Sequence, residues 1–273
     1  MSEVRMIRPP GRLPKVDLRE LLQYRELMWV FVKRGIFTRY RQMALGITWS
    51  FLEPLGLLLL MSIIFGLLIN VPTEGYPFTV FVAAALIPWM YFSKATNAAA
   101  NSLHDQIAII SKIYFPRIVI PISAVVREFF DSVVLFVILI GLAWAFGFPP
   151  SWRMLLMPLL LFYITFPGLG LGLAISSISV KYRDFRPLLT IVLQAGFYAT
   201  PVFYPASLVP RSVRPIYELN PMYWGVEFSR WILLDKPFVV TPSFYLSLLL
   251  SAITIVLGYY AFAVFERDIV DAQ

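Results

Sequence analysis

Six long apolar stretches between residues 47 and 265 constrain this chain more than any other feature, because a soluble core has no room for them. By hydropathy they run Ile47 to Ile69, Phe78 to Ala100, Ile118 to Phe146, Leu155 to Ser179, Leu188 to Tyr204 and Phe244 to Phe265. A helix crosses the hydrocarbon core with about 20 consecutive apolar residues, and these runs lie near or above that length. Hydrocarbon offers no water to unpaired backbone groups, so each crossing segment is expected as a helix. The residues are 59% hydrophobic and 14% charged, against about 45–50% and 25% in a soluble domain. The expected fold class is an all-α integral membrane protein. Six transmembrane helices occupy residues 47–266, preceded by a cytoplasmic tail and amphipathic interface helix in residues 1–46 and followed by a cytoplasmic tail in residues 267–273.

A net charge of +7 invites a nucleic-acid reading, but its distribution points to a membrane instead. Residues 1–46 hold ten Lys/Arg against four acids. Threading six helices from a cytoplasmic start places sixteen Lys/Arg on inner segments and five on outer ones, as the positive-inside rule requires. Both termini are expected in the cytoplasm. No cleavable signal peptide is visible ahead of the first apolar run, so that run is expected to direct insertion. Cysteine is absent, which removes disulfides, thiolate nucleophiles and Cys-based metal sites.

Between the spans, three segments carry information. Pro9, Pro10, Gly11 and Pro14 make a flexible lead-in, and Asp17 with Glu20 marks a possible helix start. The helix that follows, through Tyr40, mixes Leu21, Leu27, Met28 and Phe31 with charges. It is expected to lie on the cytoplasmic membrane surface, with Trp29 and Tyr40 at headgroup depth and Lys33, Arg34, Arg39 and Arg41 toward anionic lipid; an ordinary basic flank is the plainer alternative. In the loop from Leu103 to Arg117, Ile107, Ile110, Ile113 and Tyr114 recur at helical spacing until Pro116 stops the run. That amphipathic turn needs a cover, either its own bundle or a docked soluble subunit. Seven prolines break the region from Tyr198 to Pro242. Two short helices dipping into the outer leaflet as re-entrant hairpins, Ala206 to Leu219 and Met222 to Leu234, are expected there rather than a long bare loop.

The chain contains no Gly-x-x-x-x-Gly-Lys-Ser/Thr phosphate loop. Gly168, Gly170 and Gly172 sit inside an apolar helix, where small residues at this spacing favour close helix packing over dinucleotide binding. His104 has no metal-ligand companion in sequence. Charges inside spans are costly and therefore candidates for function: Glu53, Lys94, Arg127, Glu128 and Asp131. Arg127 and Asp131 are spaced to pair on one helix face, and proton coupling through Glu53 or Glu128 is the sharper alternative. Aromatics gather toward one side, among them Trp89, Tyr91, Phe92, Phe197, Tyr198, Phe203, Tyr204 and Trp224. Interfacial belts explain such clusters; so does a path for sugars, whose C–H faces stack on rings while hydroxyls meet Tyr and Trp polar tips.

The segment Arg39-Tyr-Arg-Gln-Met-Ala-Leu-Gly-Ile-Thr-Trp-Ser-Phe-Leu-Glu-Pro-Leu55 resembles the opening of polysaccharide-export permeases of ATP-binding-cassette transporters. Leu86 to Ser93 with Asn101 to Leu103, Lys112 to Arg117, Val180 to Asp184, Pro201 to Pro205 and Leu219 to Met222 continue the resemblance in order. It implies a half-transporter in the bacterial cytoplasmic (inner) membrane, without catalysis of its own. Two copies form one channel and two cytoplasmic ATPase subunits drive it. No cofactor binds this chain; ATP and Mg belong to the partner. By this similarity Asp105, Ile107, Ile110, Lys112, Tyr114, Phe115 and Arg117, with Arg183 as a second contact, couple to the ATPase. The Asp17 to Tyr40 helix stands beside them, and the Pro205 to Leu234 hairpins form an outer gate. The implied cargo is a lipid-linked glycan such as O antigen, capsule or teichoic acid. Trp49, Trp89, Tyr91, Phe92, Phe197, Tyr198, Tyr204 and Trp224 are the candidate path aromatics. Competing readings are a proton-coupled secondary transporter, an ATP-driven exporter of a smaller lipid or drug, and, lowest, an intramembrane transferase.

Overall fold

The computed structural model describes residues 18–41, 48–110, 112–113 and 115–265. The expected lead-in, the helix start at Asp17, Tyr114 and the tail 267–273 lie outside the described residues, as do the side chains of Tyr40 and Trp49. Among the described residues all regular structure is helical. In chain order the helices are α1 (Leu18–Gln23), α2 (Arg25–Arg41), α3 (Trp49–Met61), which continues as a π-helix over Ser62–Leu68, α4 (Phe78–Asp105), α5 (Ile107–Ile110) and α6 (Val119–Ala145). There follow α7 (Met157–Lys181), entered through a 3-10 turn at Trp152–Leu156, then α8 (Phe185–Ala199), α9 (Arg214–Glu218), α10 (Pro221–Leu234) and α11 (Pro242–Phe265).

Among the described residues four helical segments are long and apolar enough to cross a membrane: Phe51–Leu68, Phe78–Asp105, Trp152–Lys181 and Pro242–Phe265. α6 has 27 residues and bears Arg127, Glu128 and Asp131. The fifth expected span differs from its sequence reading. α8 starts at Phe185 and stops at Ala199, because Thr200 turns extended ahead of Pro201, as the residue before a proline is pushed to do. Its 15 residues rise only about 22 Å at 1.5 Å each. The expected helix Ala206 to Leu219 is likewise broken, into a 3-10 turn at Ala206–Leu208 and the five-residue α9. The second, Met222 to Leu234, is present as α10; Asn220 caps it by accepting from the Met222 N–H at 3.0 Å, and Pro221 fills a first-turn position where no N–H is needed.

α4 is the central pillar. Of its most apolar 18 residues 78% are buried, against 11% for the α3 segment and 17% for α11, so the last two present most of their apolar surface outward. α7 packs most extensively against α11 and α4, and its glycines explain how one helix serves both. A Cβ on Gly168 would lie 3.1 Å from Thr96 Oγ1, and one on Gly172 would overlap Ala99, so this pair faces α4. Gly170 points the other way: a Cβ there would lie 2.6 Å from the Thr254 backbone, and the facing Gly258 on α11 meets the Gly170 carbonyl. The expected close packing is found on two faces. A second apolar cluster joins Leu103, Ile110, Phe115, Val119, Leu173 and Phe262 to Leu21, Leu27, Met28 and Phe31 of α1 and α2. The N-terminal helices are thus seated on the ends of α4, α6, α7 and α11.

Candidate functional site

α4 ends at Asp105, and after Gln106 the chain makes the single turn α5. Lys112 and Ile113 extend it by donating their N–H groups to the Ile109 carbonyl at 3.0 and 3.2 Å. The apolar residues of this turn divide between two sides. Ile110 and Phe115 are buried against α2, with the Phe31 and Phe115 rings 5.8 Å apart. Ile107 and Ile113 remain 45% and 60% exposed, flanked by exposed Asp105 and Lys112. Arg117 is half-buried, and Arg183 is exposed in the turn between α7 and α8, next to the exposed ring of Tyr182. Its own bundle therefore covers half of the amphipathic turn and leaves the other half open.

Among the charges expected inside spans, Lys94 Nζ bonds Glu53 Oε2 at 2.6 Å, tying α4 to α3. Arg39 of α2 reaches α6 and forks between Glu128, at 2.6 Å, and Asp131. Arg127 adds a 3.2 Å contact to the same Glu128 and lies across Gly35, where any Cβ would strike its side chain. A structural ion pair is present, as expected, but Asp131 is held by Arg39 rather than through the i,i+4 partner proposed from spacing. Burial by itself lowers the Arg39 pKa; the hydrogen bond and charge of Glu128, with those of Asp131, outweigh it and raise the guanidinium above its ordinary range.

The candidate path aromatics separate into groups. Trp89 and Phe92 of α4 begin a column, with ring centroids 5.3 Å apart. It continues from Trp89 to Phe197 at 5.9 Å, then through Tyr198 and Phe203 to Tyr204. Phe203 stacks at 4.6 Å on Phe65 of the π-helical segment. Phe65 was not among the sequence candidates; neither hydropathy nor spacing distinguishes it from neighbouring lipid-facing residues. Tyr91 is buried, bonded to Thr165 and edge-on to Phe129, and Trp224 belongs to a separate cluster with Tyr223, Phe238 and Phe244. Those two stand apart from the column.

A charged cluster between α10 and the loop before α4 also escaped the sequence reading. Arg230 is fully buried; it donates to Glu227 at 2.9 Å and to the Val202 carbonyl at 3.0 Å, and covers the Phe81 ring at 3.7 Å. Lys236 bridges Glu227 at 2.9 Å and Glu74 at 3.2 Å, while Arg153 pairs with Asp235. Asn70, Glu74 and Asp235 all adopt positive φ near 55°, uncommon for residues with a Cβ, and Glu74 and Asp235 are also held in ion pairs. The signal available in sequence was the i,i+3 spacing of Glu227 and Arg230.

Four span-length apolar helices among the described residues, joined to their neighbours by close packing and ion pairs, define a multi-pass membrane protein. Residues 26–234 match the family model described as ABC-2 type transporter, and the chain belongs to that family. It is 32% identical over 258 residues to the O-antigen export system permease protein RfbA of Myxococcus xanthus, covering 91% of this chain and 95% of the relative. It is 29% identical to a Klebsiella pneumoniae protein of the same description, over 72% of this chain and 76% of the relative. Likeness to the polysialic acid transport protein KpsM of Escherichia coli is 24%, over 72% and 77%.

Proposed function

We propose that this chain is the membrane half of an ATP-driven exporter that moves a lipid-linked polysaccharide of the O-antigen, capsule or teichoic-acid type across the bacterial inner membrane. It works as a homodimer with two ATPase subunits, which bind the ATP and Mg. The observation that carries this reading is the near full-length likeness to a protein described as an O-antigen export permease. The closed ion pairs of Glu53 and Glu128 support it, since a proton relay needs a carboxyl free to change partners.

In this reading α3, α4, α6, α7, α8 and α11 are the six spans, α9 and α10 form re-entrant hairpins at the outer face, and both termini are cytoplasmic. Residues 1–46 make the interface arm, 47–266 the transmembrane domain and 267–273 a tail. Asp105, Ile107, Lys112 and Ile113, with Tyr114, Arg117 and Arg183, meet the ATPase, while Ile110 and Phe115 anchor the turn to the bundle. The aromatic column offers stacking faces to sugar, and the outward apolar faces of α3 and α11 meet lipid or the second copy.

The test is deletion of this chain's gene in a host that builds such a glycan. Lipid-linked glycan should accumulate at the cytoplasmic leaflet, and reintroducing the chain with its ATPase should restore surface glycan. In purified vesicles the chain alone should move none. Normal surface glycan in the deletion strain, or movement that survives ATP depletion and collapses with the proton gradient, would refute the proposal.

A further inference from the structure

A cavity of about 490 Å³ opens between α2, α4 and α6, within the range of small-ligand sites, roughly 300–1,000 Å³. Its lining includes Arg34, Arg39 and Arg127 together with the apolar Phe31 and Ile120, and Asp105 at the end of α4. Glu128 and Asp131, which hold Arg39, are not on its wall. Three arginines thus line the cavity, against one acidic residue. Arg39 is committed to its two acids, whereas Arg34 is exposed and forms no ion pair among the described residues. Arg127 uses Nε and Nη2 on Glu128, at 3.3 and 3.2 Å, which leaves Nη1 above Gly35. A guanidinium fork matches a phosphate and binds it with two charge-assisted hydrogen bonds. The apolar part of the lining suits the first carbons attached to such a phosphate. Trp29, Val30 and Phe37 add exposed apolar surface to α2 beside Lys33 and Arg34, the composition of a helix lying at an anionic membrane surface.

We propose that this cavity binds the phosphate headgroup of an amphiphile from the cytoplasmic leaflet, with Arg34 and Arg127 as its ligands. The inference rests on the cytoplasmic placement of α2 given under the proposed function. Because Asp105 borders the same cavity and precedes α5, a bound anion sits against the turn where the ATPase is proposed to push.

The test is calorimetric titration of the full chain, purified in neutral detergent, with dioctanoyl phosphatidylglycerol, dioctanoyl phosphatidylcholine, farnesyl phosphate and inorganic phosphate. An anionic amphiphile should bind about tenfold or more tightly than phosphatidylcholine, the scale of a charged hydrogen bond. Arg34→Gln, at an exposed position, should cut that affinity by about fivefold or more with an unchanged melting temperature, and Arg34→Gln/Arg127→Gln should abolish it. Tighter binding of phosphatidylglycerol supports the proposal with a bilayer lipid as source; tighter binding of farnesyl phosphate supports it with an isoprenoid carrier. Inorganic phosphate binding as tightly as either, no preference over phosphatidylcholine, or undiminished affinity in a folded Arg34→Gln protein would overturn it. Titration needs no transport, so failure of the export reading leaves this result separately readable.

Discussion

Arg39 is the residue whose removal the structure prices most clearly. Its partners Glu128 and Asp131 have side chains 2% and 16% exposed, while its own is 31% exposed. Removing one partner of a buried pair costs about 3–5 kcal/mol, because the other charge stays buried without compensation. Arg127 remains 3.2 Å from Glu128 and Arg39 is partly in solvent, so the cost of Arg39→Ala falls to about 2–3 kcal/mol. For a chain of this size each kcal/mol is worth about 2–4 °C in Tm, which gives a drop of about 4–12 °C. Loss should begin with α2, which the fork ties to α6, and limited proteolysis should cut residues 25–41 sooner than in the parent. Adding Glu128→Gln and Asp131→Asn to Arg39→Ala removes the stranded charges and should recover part of the loss. An Arg39→Ala protein that melts with the parent, or a triple variant melting below Arg39→Ala, would show that the fork does not hold the two helices together.

Gly170→Ala places a Cβ 2.6 Å from the Thr254 backbone, where ordinary contact begins at 3.4 Å; α7 and α11 must part by about 0.8 Å, at the overpacking cost of about 1–3 kcal/mol. Gly141→Ala on α6 meets nothing within 4 Å, so equal melting temperatures for the two variants would contradict the two-faced packing of α7. Ile107→Asp with Ile113→Asp should lower ATPase co-purification by about tenfold or more, as loss of two apolar contacts requires, and leave folded yield intact. Ile110→Asp should instead lower the yield itself, since Ile110 lies inside the second apolar cluster; the reverse ranking would move the docking face. The Glu74 carboxyl is pushed up by burial, but the Ser207 hydrogen bond and the Lys236 and Arg230 charges override this and hold it below its ordinary 4.5. Its stabilisation is therefore complete above pH 4.5 and lost as the pH falls through the lower, folded-state value. Below pH 4.5 the parent should lose melting temperature more steeply than Glu74→Gln, and identical acid profiles would refute the ion-pair role.

Features with a local cause were legible in the chain. The start of α4 at Phe78 and the glycine face of α7 follow from neighbouring residues, whereas hydropathy ends α4 at Ala100, five residues short of Asp105, and carries α8 past the break at Thr200–Pro201 to Tyr204. Features that depend on distant partners were not. Arg39 and Glu128 lie 89 positions apart, so helical spacing proposed Arg127 for Asp131 when the bundle supplies Arg39. Spacing placed Ile107, Ile110 and Ile113 on one stripe, but seating of α2 against the end of α4 claims Ile110 and leaves the other two outside. Arg230 is one of the five Lys/Arg that the positive-inside count assigns to outer segments, because nothing in its neighbourhood announces that Phe81 and the Val202 carbonyl surround it. Phe65 is an ordinary apolar residue in sequence; its ring meets Phe203 only because the chain returns there after α8.

The arrangement of α4 makes mechanical sense of the exporter reading. Its 28 residues span about 42 Å. At one end, Asp105 leads into the turn that exposes Ile107 and Ile113; near the other, Phe81 lies under Arg230 of the charged cluster. Between them Lys94 is tied to α3 and Trp89 opens the aromatic column. A helix so thoroughly buried transmits a displacement of its end rather than absorbing it, since close-packed interiors yield little. Pro88, one residue before Trp89, lacks an N–H and so omits one backbone bond of the helix where the column begins. Force applied by a soluble partner at α5 would thus reach both the aromatic column and the ion pairs around Arg230 through a single element. The ion pairs of Glu53 and Glu128 leave the spans without an uncommitted carboxyl at either position, which is the arrangement suited to a permease driven from outside its own membrane domain.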